Sequence, residues 1–171
     1  YAVVKGGHDI KGIAMAELDL EEVSQAIEKF KGKVEAVAIS GYLSVRNSEH
    51  ELKAKELVEK TLQIPVVCAH QLTTSLGFHE RTVTAVLNAR LIPIIADLIK
   101  SVKIVLEEQK IEAPLMIVKG DGTLMSEELA KEKPIDTILS GPAASIVGAT
   151  FKNQVKKALV LDMGGTTTDI A

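Results

Sequence analysis

An α/β fold is what this sequence predicts, and two observations carry the prediction. Short apolar runs alternate with amphipathic stretches over the first 70 residues, as expected of buried parallel strands joined by helical, right-handed crossovers. Aromatics make up only 3% of the chain and Trp is absent, so the core must be built from Ala, Val, Ile and Leu. Such side chains suit a mixed, largely parallel sheet flanked by helices. At 171 residues the chain is near the size of one domain and can bury a single core.

The elements follow in order. Tyr1–Val4 reads as a short strand closed by the loop Lys5-Gly6-Gly7-His8-Asp9, and Ile13–Leu18 as a second strand. Asp19 and Glu22 form a helix start, Val23, Ile27 and Phe30 share one face, and Gly32 ends the helix. Val34–Ile39 is nearly continuous apolar sequence, as for a strand buried on both faces. Ser48 and Glu51 make a capping box for a helix whose buried stripe is Ala54, Leu57, Val58 and Leu62. Ile64–Ala69 is the next buried strand. From about Glu80 to Gln109 the chain is helical, with Pro93 as a kink or break. Leu115–Val118 is a strand, Lys119-Gly120-Asp121-Gly122-Thr123 a tight turn, and a short helix follows Ser126. Ile135–Leu139 reads as a strand, and Ser140-Gly141-Pro142 starts a helix rich in small residues. Ala158–Leu161 is the last buried strand.

Charge and composition exclude several classes of function. The net charge is −3 and no basic stretch stands out, which speaks against nucleic acid or an anionic membrane as main partner. The most apolar window, 82–99, contains Asn88, Arg90, Pro93 and Asp97, a poor membrane span. There is no signal peptide, and the single Cys68 fits a reducing compartment. A soluble, cytoplasmic setting is the expectation. The start on Tyr1, directly in strand-like sequence, suggests a piece of a longer protein.

The chemistry concentrates in Asp162-Met163-Gly164-Gly165-Thr166-Thr167-Thr168-Asp169. The apolar run before it delivers Asp162 to a Gly-Gly turn. Glycine lets backbone N–H groups approach an anion with no side chain in the way, and the threonine hydroxyls add donors for phosphate oxygens. Asp162 and Asp169 would repel that phosphate unless a divalent cation lay between, and Mg²⁺ held through water is the usual solution. The plain alternative is a β-hairpin with a Gly-Gly turn.

This Asp-x-Gly-Gly-Thr-x-x-Asp pattern resembles a phosphate motif of the actin-like ATPase superfamily. Gly141-Pro142-Ala143-Ala144-Ser145-Ile146-Val147-Gly148-Ala149 resembles the small-residue helix between its two ribonuclease-H-like lobes. More narrowly, the chain is similar to the hydantoinase A and 5-oxoprolinase family. The matching stretches are Gly6-Gly7-His8-Asp9-Ile10-Lys11-Gly12, Ser40-Gly41-Tyr42, Phe78-His79-Glu80-Arg81 with Asn88-Ala89, and Gly120–Ser126. The resemblance implies a ribonuclease-H-like lobe over residues 1–140, an interlobe helix over 141–152, and the start of a second lobe over 153–171. It implies ATP with Mg²⁺, activation of a cyclic amide such as hydantoin or 5-oxoproline, and a second subunit or domain of the hydantoinase B type. A related ketone carboxylase, and a nucleotide-switched chaperone or reactivating factor, are the alternatives. An earlier phosphate motif and the adenosine-binding part of the family are absent from this stretch.

Site assignments follow from both sources. Asp162 and Asp169 are expected at Mg²⁺, and Gly164, Gly165, Thr166, Thr167 and Thr168 at phosphate. His79 and Glu80 could transfer protons or ligate a metal, and Arg81 could pair with phosphate or a substrate carboxylate; the alternative is a solvated first helical turn. His8 and Asp9 read as turn residues, His50 as inert on a charged helix surface, and Asp121 as a turn residue. His70 ends a strand where α/β proteins place sites. Four scattered histidines and one cysteine have no zinc spacing.

Overall fold

The structure, a computed structural model, describes residues 1–153 and 157–171. Residues 154–156, placed above within the start of a second lobe, lie outside the described residues. The chain forms two compact units, Tyr1–Ile94 and Ile95–Ala171.

The first unit begins irregularly. Neither Tyr1–Val4 nor Ile13–Leu18 forms a strand; a single antiparallel bridge, His8 to Ala14, is all the sheet structure there. Asp9 explains why. Its Oδ1 accepts from Lys11 N–H and Ile13 N–H, at 2.8 and 2.9 Å, and closes a local turn instead. Helix α1, Leu20–Phe30, starts on Asp19, whose side chain accepts from the N–H groups of Glu21 and Glu22. Helix α2 covers Glu49–Leu62. Strands β1, Val37–Ile39, and β2, Val66–Cys68, pair in parallel with Val37 opposite Val66. Val23 and Ile27 of α1, Ala54 and Val58 of α2, and Val66 of β2 make the core between them.

Helix α3, Phe78–Glu108, runs unbroken through Pro93, so of the kink or break expected there the break does not occur. Proline leaves one carbonyl unbonded and costs about 3 kcal/mol in a helix. Packing offsets that cost on both sides. Ala85, Ala89 and Ile92 sit in a core of the first unit with Val67, while Ile95 and Ile99 sit in a core of the second with Met125 and Ala130. By length and composition α3 could cross a membrane, with a mean hydropathy of 1.6 over its most apolar window. That window's sequence also carries the buried Asn88 and the exposed Arg90 and Asp97, and its buried face is committed to protein cores.

The second unit holds two antiparallel pairs. Strand β3, Met116–Val118, pairs with β4, Leu124–Ser126, and Ser126 caps helix α4, Glu127–Glu132. Residues expected as a strand, Ile135–Leu139, instead lie mostly in a 3-10 turn, Pro134–Thr137, because Pro134 sets the first turn and has no N–H for a ladder. Helix α5 covers Ser140–Asn153. Strand β5, Leu161–Met163, pairs with β6, Thr168–Ile170. Among the described residues the sheets are therefore one parallel and two antiparallel pairs. The α/β class holds, but the sheet is not largely parallel.

Candidate functional site

Two constellations carry polar chemistry. The first is the closing hairpin of the second unit. The strand expected over Ala158–Leu161 is shifted and exposed: Asp162 lies in the middle of β5, and Leu159 is 71% exposed. Asp162 stands directly opposite Asp169, so both carboxylates project from one face of the pair. Like charges in that position repel. Ser145 of α5 donates its hydroxyl to Asp162 Oδ2 at 2.6 Å, and no residue supplies a positive charge to either aspartate among the described residues.

The turn above the pair is open. Gly164 N–H is bonded to Thr167 O at 2.9 Å, so that donor serves the hairpin itself. The N–H groups of Gly165, Thr166 and Thr167 have no hydrogen bond among the described residues, and a Cβ placed on Gly165 would meet nothing within 4 Å. The donor set fits the phosphate and Mg²⁺ expected from the sequence: free backbone N–H groups and hydroxyls above, paired oxygen ligands below.

The second constellation was not found in the sequence. It lies where β1 and β2 end, in the first unit. Glu51 is no capping residue; α2 starts with Asn47 Oδ1 accepting from Glu49 N–H, and Ser48 makes no side-chain cap. Its carboxylate is fully buried, accepts Gly41 N–H at 2.7 Å and His70 N–H at 3.1 Å, and lies 2.5 Å from His70 Nδ1. The sequence did hold a signal. Glu51 lies three and seven residues before Ala54 and Val58, on the buried stripe of α2.

Arg81 holds the other side of the same loop. Its guanidinium is buried, Nη2 donates to Gly41 O at 3.0 Å and Nη1 to Ser75 O at 2.9 Å. Both terminal nitrogens bond main-chain carbonyls, which makes Arg81 a clamp on two loops in this chain. His79 and Glu80 point outward in the exposed first turn of α3. Ser40 and Thr82 share a hydroxyl–hydroxyl bond of 2.7 Å. The structure therefore brings Arg81 into the polar cluster and leaves His79 and Glu80 at its surface.

Two histidines also differ from expectation. His50 is buried, not surface, and its Nδ1 accepts Gly7 N–H at 3.0 Å. His8 is buried against it, ring centroids 4.2 Å apart. Burial, then the neighbouring His8, pulls the His50 pKa below its ordinary value of 6.5. Cys68 is buried in β2 and its thiol is pushed up to about 12, chiefly by burial, as for an inert core cysteine. Asp121 is the expected turn residue, accepting from Thr123 N–H and Thr123 hydroxyl. Those bonds and Lys119 hold its carboxyl well below the usual carboxylate range.

The family described as Hydantoinase/oxoprolinase matches residues 81–171, and the Hydantoinase/oxoprolinase N-terminal region matches residues 1–62. The alpha subunit of caprolactamase from Pseudomonas jessenii is 32% identical over 96% of this chain and 25% of its own length. The crystal structure of that ATP-dependent caprolactamase superposes with a TM-score of 0.84 at 30% identity, covering 98% of this chain and 25% of that one. The gamma subunit of acetophenone carboxylase from Aromatoleum aromaticum is 27% identical over 95% of this chain and 23% of its own length. A nucleotide-free acetone carboxylase shares the fold, with a TM-score of 0.81 at 23% identity over 98% of this chain and 25% of that one. The chain thus spans about a quarter of the length of these relatives. On the family match over more than half its residues, this chain belongs to the hydantoinase/oxoprolinase family.

Proposed function

We propose that this chain is part of an ATP-dependent enzyme that opens a cyclic amide of the hydantoin, 5-oxoproline or lactam type. The observation that carries the reading is the facing Asp162–Asp169 pair beneath the open Gly165 turn. An acidic pair under free N–H groups is a poor hairpin ending on its own and a good wall for a metal–phosphate group. Asp162 and Asp169 would hold Mg²⁺ through water, and Gly164, Gly165, Thr166, Thr167 and Thr168 would line the phosphates. Bound there, ATP would supply the phosphoryl group that activates a carbonyl; the chain's own task is positioning and charge neutralisation. Ser145 fixes one rotamer of Asp162 for that purpose.

In this reading residues 1–140 belong to a ribonuclease-H-like first lobe, 141–152 to an interlobe helix and 153–171 to a second lobe, as in actin-like ATPases. His79 and Glu80, exposed at the start of α3, would face groups from the rest of the protein. A hydantoinase B-type subunit would be the partner; the relatives being named as alpha and gamma subunits supports this. The 27% identity to an acetophenone carboxylase subunit keeps ATP-dependent ketone carboxylation as a second reading.

The test is steady-state phosphate release by the full-length parent with hydantoin, 5-oxoproline, caprolactam or acetophenone with bicarbonate. Stimulation by a cyclic amide is expected. Stimulation only by the ketone would select the second reading, and ATP hydrolysis indifferent to all four would sink both. The isolated 171-residue chain is expected to bind ATP weakly or not at all.

A further inference from the structure

We propose that Glu51 and His70 form a catalytic dyad in which His70 Nε2 accepts a proton from the N–H of a cyclic amide bound at the carboxyl edge of β1 and β2. The substrate class rests on the hydantoinase-type reading; the dyad rests on its own geometry. An ionised carboxylate only accepts hydrogen bonds. In the tautomer that donates Nδ1–H across the 2.5 Å contact to Glu51 Oε2, a lone pair is left on Nε2, the arrangement of a base held by an orienting acid. Nε2 has no partner among the described residues, and the His70 side chain keeps 17% exposure while that of Glu51 has none.

The surroundings are built for this. Gly41 N–H and His70 N–H pin the carboxylate, and Arg81 pins Gly41 O from the other side, so the acid cannot swing away. Tyr42, next to Gly41, and Phe78, at the start of α3, are both exposed and meet edge to face with centroids 5.9 Å apart. A metal held by Glu51, Cys68 and His70, whose ligand atoms lie within 4.8 Å of one another, fits less well. The Nδ1–Oε2 distance is that of a hydrogen bond, and the buried thiol stays protonated. In the step itself the N–H bond breaks and the proton passes to Nε2. The electron pair stays on nitrogen, shared with the carbonyl oxygen, and Glu51 remains ionised beside the imidazolium.

The test uses the full-length parent and needs no turnover for its first arm. Diethyl pyrocarbonate labelling, mapped residue by residue, is run with and without hydantoin, 5-oxoproline or caprolactam. One of these should slow labelling of His70 by about tenfold at ten times its dissociation constant, with a free imidazole standard in the same solution as reference. His70 labelling unchanged by all three overturns the proposal, whether or not the parent hydrolyses ATP. If the parent turns over a cyclic amide, His70→Asn, whose amide N–H takes the place of Nδ1 beside Glu51, should lose about 10²–10⁴-fold in kcat with KM for ATP unchanged. His70→Ala should regain activity in added imidazole. Wild-type turnover by His70→Asn, or no rescue by imidazole, would overturn it. A parent inactive on every cyclic amide but with His70 protected would remove the hydantoinase-type reading and leave the dyad standing as a binding site.

Discussion

The acidic residues of the two units live in opposite circumstances. Glu51 is fully buried, and its carboxylate accepts two backbone N–H groups and touches the His70 ring within its own unit. Asp162 and Asp169 face each other on a hairpin whose outward side chains are open, with one hydroxyl bond between the two of them. The first arrangement satisfies its charge internally and therefore stabilises the fold. The second has no cation beside either carboxylate among the described residues, and facing like charges repel unless another group arrives. The same residue chemistry is thus enclosed in one place and open to an incoming group in the other.

The largest expected break in that contrast comes at Glu51. Replacing it by Ala strands the N–H groups of Gly41 and His70, and losing one member of a buried charged network typically costs about 3–5 kcal/mol. A fall in the urea midpoint is expected; an unchanged midpoint would contradict the stabilising role.

Glycines sharpen the same contrast. A Cβ at Gly120 would sit 2.3 Å from the backbone oxygen of Ile138, whereas one at Gly165 would meet nothing within 4 Å. Gly120→Ala should therefore destabilise by about 1–3 kcal/mol, as overpacking does. Gly165→Ala should leave the urea midpoint in place and weaken nucleotide binding in the parent. Equal stability losses at the two positions would erase the distinction.

A smaller effect is expected from pH. The folded pKa of His50 is depressed, first by burial and then by His8, with Glu49 and Glu17 raising it and Lys53 lowering it. A depressed pKa contributes stability above the ordinary value of 6.5 that is lost as pH falls through the folded value. Lowering the pH from about 7.5 to about 5 should reduce the midpoint. His50→Asn, whose amide oxygen can accept Gly7 N–H, should flatten that dependence. The smallest effect on stability belongs to Asp169→Asn, which relieves like-charge repulsion; its midpoint should stay level or rise slightly. A clear fall would mean that the aspartate is structural after all.

Much of this was legible in the residues, for definable reasons. Asp19 announces α1 because a carboxylate can reach two free N–H groups at a helix start, and the apolar runs ending at Ile39 and Cys68 announce the parallel pair. The closing hairpin was legible too, because Gly164-Gly165 reads as a turn between two strand-like segments. Glu51 was misread because Ser48-x-x-Glu51 matches a capping box, and only its place on the buried stripe of α2 argues otherwise. The roles of Arg81 and of the His8–His50 pair depend on contacts between residues 40 or more positions apart, which local patterning does not encode. Ile135–Leu139 looked strand-like through its apolar residues, and Pro134 decided against it.

The central claim is that the closing hairpin holds a metal-bound phosphate in the service of cyclic-amide opening. Phosphate release by the full-length parent, with and without its best cyclic amide, in the wild type and in Asp162→Asn, tests it most directly. Amide-stimulated release in the wild type, reduced in the variant by about 10²-fold or more, is the predicted result. Equal release by the two proteins would contradict it.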